Sequence, residues 1–292
     1  MFELTSLGNG EYYVKCAAQF GVIGTGDGEV CLIDSGPDAG AGEKLGAVLE
    51  EKGWRLRAVY LSHGHADHAG GCRRLQEHTG CAVYAAGAEQ VFASRPVLDP
   101  AFLYGGDPPP EIRTPMLMPE PSRVLPLTEQ SLPEGWSAVP LPGHTYDMVG
   151  YRTPGGAVFL ADCLSSRQTL EAHPFTFLTD VAAYLGTLRA VRETEASVFV
   201  PAHAPVCEDI RELAELNERH VLRLGELIRD LCAEPAVSED ILKRLFDALG
   251  LTLNWFDHAL SASTLRSFLT WLKNEGQVEA LFEDNRLLWK KI

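Results

Sequence analysis

Along the first two thirds of the chain, short apolar runs alternate with stretches in which apolar positions recur every three or four residues. The runs at 30–33, 58–61, 82–85, 137–141, 149–153, 157–160 and 197–200 predict strands, most of them apolar throughout, as strands covered on both faces are. Helices are predicted over 42–51, 70–77 and 180–192; in the last, Ala182, Leu185, Leu188 and Val191 fall at helical spacing. Between 95 and 121 the pattern lapses around Gly105-Gly106-Asp107-Pro108-Pro109-Pro110. A loop of that length is usually functional, and it is expected beside the site entrance. After about residue 208 the pattern turns helical: 209–232, a break at Pro235, 239–248, then 264–275 ended by Gly276. Residues 277–289 alternate around Asp284-Asn285, which predicts a hairpin. The fold class is therefore α/β (α+β), with a domain at 1–208 and a smaller helical one at 209–292.

Composition narrows the function classes. The 292 residues are 46% hydrophobic and 22% charged, the profile of a soluble globular chain, and no apolar run approaches the roughly 20 residues of a membrane span. Met1-Phe2-Glu3-Leu4-Thr5 lacks a basic region followed by an apolar stretch, so a cytoplasmic location is expected. The seven cysteines are scattered without a Cys-x-x-Cys pair, which fits reduced thiols. Net charge is −15, and both parts are acidic: 14 Lys and Arg against 26 Asp and Glu in 1–209, and 11 against 14 in 210–292. That field disfavours a nucleic-acid partner and leaves a small molecule as the expected one.

The candidate chemistry is concentrated in Ser62-His63-Gly64-His65-Ala66-Asp67-His68, directly after the apolar run ending at Leu61. Imidazole and carboxylate are good zinc ligands, and a tight turn after a strand can aim alternate side chains at neighbouring positions. Asp34, His144, Asp162 and His203 each follow an apolar strand as well. Functional groups collect outside the carboxyl ends of strands in α/β sheets, so one crevice can hold them all. His78, His173, His220 and His258 have no ligand spacing and are read as structural or solvated. Arg95 and Arg113, in the middle loop, are candidates to meet a substrate carboxylate.

In this order, Asp34, the His-x-His-x-Asp-His run, Pro142-Gly143-His144-Thr145, Asp162 and His203 resemble the metallo-β-lactamase superfamily, especially its glyoxalase II-like and RNase Z-like hydrolases, over about residues 10–208. The resemblance implies an αββα sandwich and two Zn²⁺ ions, with Fe or Mn as alternatives and no organic cofactor. His63, His65 and His144 would bind the first ion and Asp67, His68 and His203 the second. Asp162 would bridge them, and Asp34 would orient a ligand. Asp67 and Asp162 are the implied catalytic carboxylates, serving a metal-bridging hydroxide that attacks a small thioester, ester or lactone. Lactam-cleaving relatives often use a cysteine ligand near Cys163, but Asp162 fills the bridging position here, so Cys163 is read as a small buried residue. The helices and hairpin at the C-terminus resemble a winged helix, as in the lactamase-β-like endoribonucleases of the same superfamily. An endoribonuclease or phosphodiesterase, or a mononuclear-iron persulfide dioxygenase, is the alternative that the resemblance keeps open.

Overall fold

The structure is a computed structural model and describes residues 3–292; Met1 and Phe2, which open the N-terminal stretch considered above, lie outside it. The chain begins with β1 (Glu3–Gly8), β2 (Glu11–Lys15), β3 (Phe20–Gly26) and β4 (Glu29–Ile33), then α1 (Ala39–Glu51), β5 (Arg55–Tyr60), α2 (Ala66–Ala69), α3 (Cys72–Thr79) and β6 (Ala82–Ala85). It continues through α4 (Gly87–Ser94), α5 (Leu98–Tyr104), β7 (Val124–Pro126), β8 (Ser137–Pro140), β9 (Val149–Arg152), β10 (Ala157–Ser165), α6 (Arg167–Ala172), α7 (Val181–Arg192) and β11 (Val198–His203). The last part holds α8 (Arg211–Leu231), α9 (Ser238–Leu249), α10 (Trp255–Asn274), β12 (Val278–Glu283) and β13 (Arg286–Lys291).

Strands β1 to β7 lie in sequence order in one sheet, antiparallel as far as β4 and parallel from β4 to β7. The second sheet runs β11-β10-β9-β8. Alternate side chains of a strand face opposite ways, and this partitions the core. In β4, Val30 and Leu32 pack with Leu45, Leu49 and Leu75 of the helices outside the first sheet, whereas Cys31 and Ile33 meet Tyr151, Phe159 and Val200 of the second. In β10, Ala157 and Phe159 face the first sheet, while Val158 and Leu160 join an outer cluster with Leu185 and Leu188 of α7. The result is an αββα sandwich, the arrangement expected.

That outer cluster runs on without a break into the C-terminal helices through Val221, Leu224, Leu245, Phe268 and Leu272. The terminal hairpin turns at Asp284 and Asn285, whose φ values of 47° and 61° are the left-handed pair a two-residue hairpin needs.

Several elements differ from the sequence reading. The meander β1 to β3 and the short β7 carry too little alternation to stand out. The helix expected at 70–77 is present as α3 but starts two residues later, because the chain turns at Gly70-Gly71 after α2, packed so closely that a Cβ on Gly71 would lie 2.3 Å from the Ser35 carbonyl. The middle loop contains α5 and a single 3₁₀ turn at Pro110–Ile112. Helix α10 begins at Trp255 rather than at 264, because the Asn254 side chain accepts from the Asp257 N–H and caps it there.

Candidate metal centre

The parallel strands β4 and β5 end at the same edge of the sandwich as β10 and β11, and the candidate ligands emerge there. Asp34 follows β4, the run from Ser62 to His68 follows β5, and His203 is the last residue of β11. Asp162 lies within β10 rather than after it. Its direction comes from a bulge: β10 pairs Phe159 with Val200 and then Ala161 with Pro201, and Ala161 takes a φ of 46°. An extra residue of this kind re-aims the next side chain.

Two groups of ligand atoms result, each within 4.8 Å: His63, His65, His144 and Asp162, and Asp67, His68, Asp162 and His203. His65 Nδ1 lies 3.0 Å from His63 Nε2 and 3.1 Å from His144 Nε2. Asp162 Oδ2 is 3.4 Å from His144 Nε2 and 3.2 Å from His203 Nε2, and its Oδ1 is 2.9 Å from His68 Nε2. Asp67 Oδ2 is 3.3 Å from His203 Nε2. The structure therefore brings all seven expected ligands together, with Asp162 common to both groups.

The donor set fits metal ions. His68 Nε2 and Asp162 Oδ1 are fully buried and neither has a hydrogen-bond partner, close as they are. Such orphaned atoms are costly unless something else satisfies both. A tetrahedral zinc with Zn–N of about 2.0–2.1 Å holds its nitrogens roughly 3.3 Å apart. The imidazole spacings around His65 are close to that.

The other ring nitrogens are spent on the protein. His144 Nδ1 donates to the Phe177 carbonyl at 3.1 Å and His203 Nδ1 to the Ala17 carbonyl at 2.9 Å. His68 Nδ1 donates to Asp34 Oδ2 at 2.8 Å. These bonds fix the tautomers and aim each Nε2 lone pair into the cage. Asp34 thus lies against the ring nitrogen of His68 that points away from the cage.

Electrostatics divides the imidazoles. Burial lowers His63 and His65 and pushes His144 down to about 4, so all three stay neutral and able to ligate. The Asp162 carboxylate raises His203 to about 10. Burial opposes charge on His68, but Asp162, Asp67 and Asp34 outweigh it and hold the ring well above its ordinary value. Burial likewise works against the charge on Asp67, and His68 and His203 overcome it, bringing the carboxyl to about 2. Without a metal the carboxylates thus favour the charged form of His68 and His203, and an ion bound there would have to displace a proton from each Nε2 to use its lone pair.

Two supporting residues carry no sequence signal. Glu89 of α4 is buried and accepts from the Gly64 N–H at 3.0 Å and the Asp147 N–H at 3.1 Å, tying the histidine run to the loop of His144. Ser35 donates to the His68 carbonyl at 2.9 Å and accepts from the Gly71 N–H at 3.1 Å. A single Glu or Ser has no spacing to betray a partner dozens of residues away.

Cys163 is buried, its thiol pushed up by burial, consistent with a packing role. His78 pairs with Glu50 at the surface and His220 with the Pro174 carbonyl, but His173 lies on a cavity beside Asp162 and His203. The arginines do not serve as expected: Arg113 is held by Asp107 at 2.6 Å and by the Pro108 carbonyl at 2.8 Å, and Arg95 is exposed. Neither lines the cavities beside the cage.

The profile of the metallo-beta-lactamase superfamily matches residues 15–203, a stretch that contains Asp34 and all seven cage residues. A hydroxyacylglutathione hydrolase of Cereibacter sphaeroides is 40% identical over 70 residues, which span 24% of this chain and only 26% of that enzyme. A probable metallo-hydrolase of Bacillus subtilis is 23% identical over 57% of this chain and 73% of its own length. An atrochrysone carboxyl ACP thioesterase of Aspergillus fumigatus is 26% identical over 65% of this chain and 52% of that protein. Among solved structures, a metallo-beta-lactamase family protein from Thermus thermophilus has a TM-score of 0.76 at 19% identity, covering 98% of this chain and 100% of that one. A beta-lactamase domain protein from Burkholderia ambifaria gives 0.74 at 17% identity, covering 99% and 94%. With the matched profile spanning most of the αββα sandwich and every residue of the cage, the chain belongs to the metallo-beta-lactamase superfamily.

Proposed function

We propose that this protein is a metal-dependent hydrolase of a small thioester, ester or lactone. The observation that carries this reading is Asp162, one carboxylate shared by two complete ligand groups. His63, His65 and His144 would hold the first ion, Asp67, His68 and His203 the second, and Asp162 is common to both ligand groups. When bound, two Zn²⁺ ions, or Fe or Mn in their place, supply Lewis acidity toward a substrate oxygen and lower the pKa of water to about 7. Asp67 is the more exposed of the two carboxylates, lines the substrate cavity and stays ionised, so it can accept a hydrogen bond from water there and orient it. Buried Asp162 sets the spacing of the two groups.

The named activities of the hydroxyacylglutathione hydrolase and of the acyl carrier protein thioesterase support a carbonyl substrate. No Lys or Arg among the described residues lines the two cavities at the cage, which weighs against RNA. Completeness of the second ligand group weighs against a single-iron dioxygenase. We assign residues 1–208 to the catalytic domain and 209–292 to a winged-helix-like module that packs on it and walls the cavity. No helix among the described residues is long and apolar enough to cross a membrane, and all seven cysteines are free, in keeping with a reducing cytoplasm.

Metal analysis of protein purified without added metal, combined with assays on thioesters, lactones, phosphodiesters and RNA, tests the reading. About two zinc per chain, with thioester or lactone turnover abolished in Asp67→Ala, is the expected result. One iron per chain, or cleavage of RNA alone, would overturn it.

A further inference from the structure

Two cavities open on the cage. One, of about 290 Å³, reaches His65, Asp67, His144 and Asp162 and is walled by Pro37, Met116, Leu117, Phe177, Phe256 and Leu260. The other, of about 240 Å³, reaches His144, Asp162 and His203 and carries Ser165, His173, Thr176, Asp257 and Ser261. Phe177, Phe256 and Leu260 border both and form the ridge between them. The site is thus forked, with the cage at its base, one almost wholly apolar arm and one of mixed lining, where Phe175, Leu178 and Tyr184 stand beside the polar side chains and which is called the polar arm below.

The apolar arm is built in advance. Phe256 and Leu260 are four residues apart in the first turns of α10 and so share a face. Behind them, Leu103, Ile112, Leu117 and Ala259 form a small buried cluster against which Phe177, Phe256 and Leu260 pack. At the rim Met116 is 68% exposed, a flexible apolar side chain left to water where a ligand would cover it. Charge is equally selective. Neither arm has a Lys or Arg among the described residues, Arg113 is held by Asp107, and Asp257 puts a carboxyl on the polar arm. Along the Met116–Leu260 arm, away from the cage, a carboxylate or phosphate would be desolvated with no Lys or Arg to pair with.

We propose that the substrate is an acyl thioester or ester, uncharged near its reacting carbonyl, with an apolar acyl chain in the Met116–Leu260 arm and a neutral, hydrogen-bonding leaving group in the other. This rests on the hydrolase reading. In the reaction water oxygen bonds to the acyl carbon, the C–S or C–O bond breaks, and the departing sulfur or oxygen takes a proton, giving an acid and a thiol or alcohol. The chain entering the apolar arm is the acyl half, and its length should govern kcat/KM.

The test uses the metal-loaded protein and N-acetylcysteamine thioesters of acetate, butanoate, hexanoate and octanoate, with S-lactoylglutathione as the anionic comparison. Burial of each methylene is expected to raise kcat/KM about three- to fourfold until the arm is full, leaving S-lactoylglutathione far behind octanoyl thioester. Met116→Arg should flatten the series and favour a succinyl thioester, whose acyl carboxylate gains a partner. Binding of the unreactive thioether S-octyl-N-acetylcysteamine, followed by calorimetry, should weaken at least tenfold in Met116→Arg, a readout independent of turnover. A flat chain-length series, or S-lactoylglutathione preferred over octanoyl thioester, would overturn the proposal while leaving the hydrolase reading intact. No turnover of any thioester, ester or lactone by protein holding two ions would overturn both.

Discussion

Asp34 and His68, 34 residues apart in sequence, are joined by a buried bond of 2.8 Å from His68 Nδ1 to Asp34 Oδ2. The same carboxylate accepts from the Ser62 N–H at 2.7 Å and from Ser62 Oγ at 2.8 Å. One side chain thereby orients a candidate ligand and anchors the start of the histidine run. Asp34→Ala leaves those donors buried without an acceptor, at a cost of roughly 3 kcal/mol or more, and should weaken metal binding at the Asp67–His68–His203 position about 10- to 100-fold. Competition with a chromogenic chelator and urea unfolding read the two effects separately. Unchanged affinity would remove the supporting role.

Gly143 holds His144 in place through its backbone. Its φ is 126°, and a Cβ there would lie 2.4 Å from the Tyr184 Cα and N. The obstacle is main chain and cannot swing aside. We expect Gly143→Ala to displace the loop, break the bond from His144 to Phe177, and cost more than about 2 kcal/mol. Thermal unfolding and metal stoichiometry check this; a variant with normal stability and a full metal complement would contradict it.

Asn217 of α8 ties the C-terminal helices to the site strand. It accepts from the Ser165 N–H at 3.0 Å and donates to the Ser165 carbonyl at 2.9 Å, three residues beyond Asp162. Asn217→Leu preserves bulk but strands both backbone groups, and should destabilise the fold by about 1 to 3 kcal/mol. Hydrogen exchange should rise at Ser165 and along α8. Exchange unchanged at Ser165 would mean the clasp is dispensable.

Asp99 sits in a small aromatic pocket with Phe92, Phe102 and Phe177, and burial raises its carboxyl to about 7. The unfolded value is roughly 3.9, so between the two pH values the folded protein keeps a proton that the unfolded chain has lost. Stability should therefore fall as pH rises from about 4 to about 7 and stay reduced above that. Asp99→Asn removes the effect and should be more stable than the parent at pH 8 by about 2 to 4 kcal/mol, the lower figure allowing for the water that reaches this site. Urea unfolding of both metal-free proteins at pH 5 and pH 8 measures it. A variant difference that does not grow with pH would refute the assignment.

The inner strands β4, β5, β6, β10 and β11 were legible because burial on both faces writes a continuous apolar run. The candidate ligands were legible because His63 to His68, His144 and His203 follow such runs. The outer meander β1 to β3 was not, since partial exposure dilutes its alternation, and Asp162 was displaced by one detail, the bulge at Ala161 that no composition encodes. Glu89 and Asn217 look like ordinary polar residues of amphipathic helices until their partners are known.

Local pattern reports periodicity and chemistry along the chain, so the sequence by itself determined which residue types can bind metal, that strands deliver them, and the mixed α/β class, while the αββα sandwich came only as what the family resemblance implied. Only the tertiary structure decided which ring nitrogen each histidine turns inward, that Asp162 serves two groups, and that α10 supplies the apolar wall. Those outcomes depend on contacts between segments up to nearly two hundred residues apart, such as His203 Nδ1 with the Ala17 carbonyl, 186 positions away. Packing and directional hydrogen bonding set such contacts, and neither leaves a periodic trace in sequence.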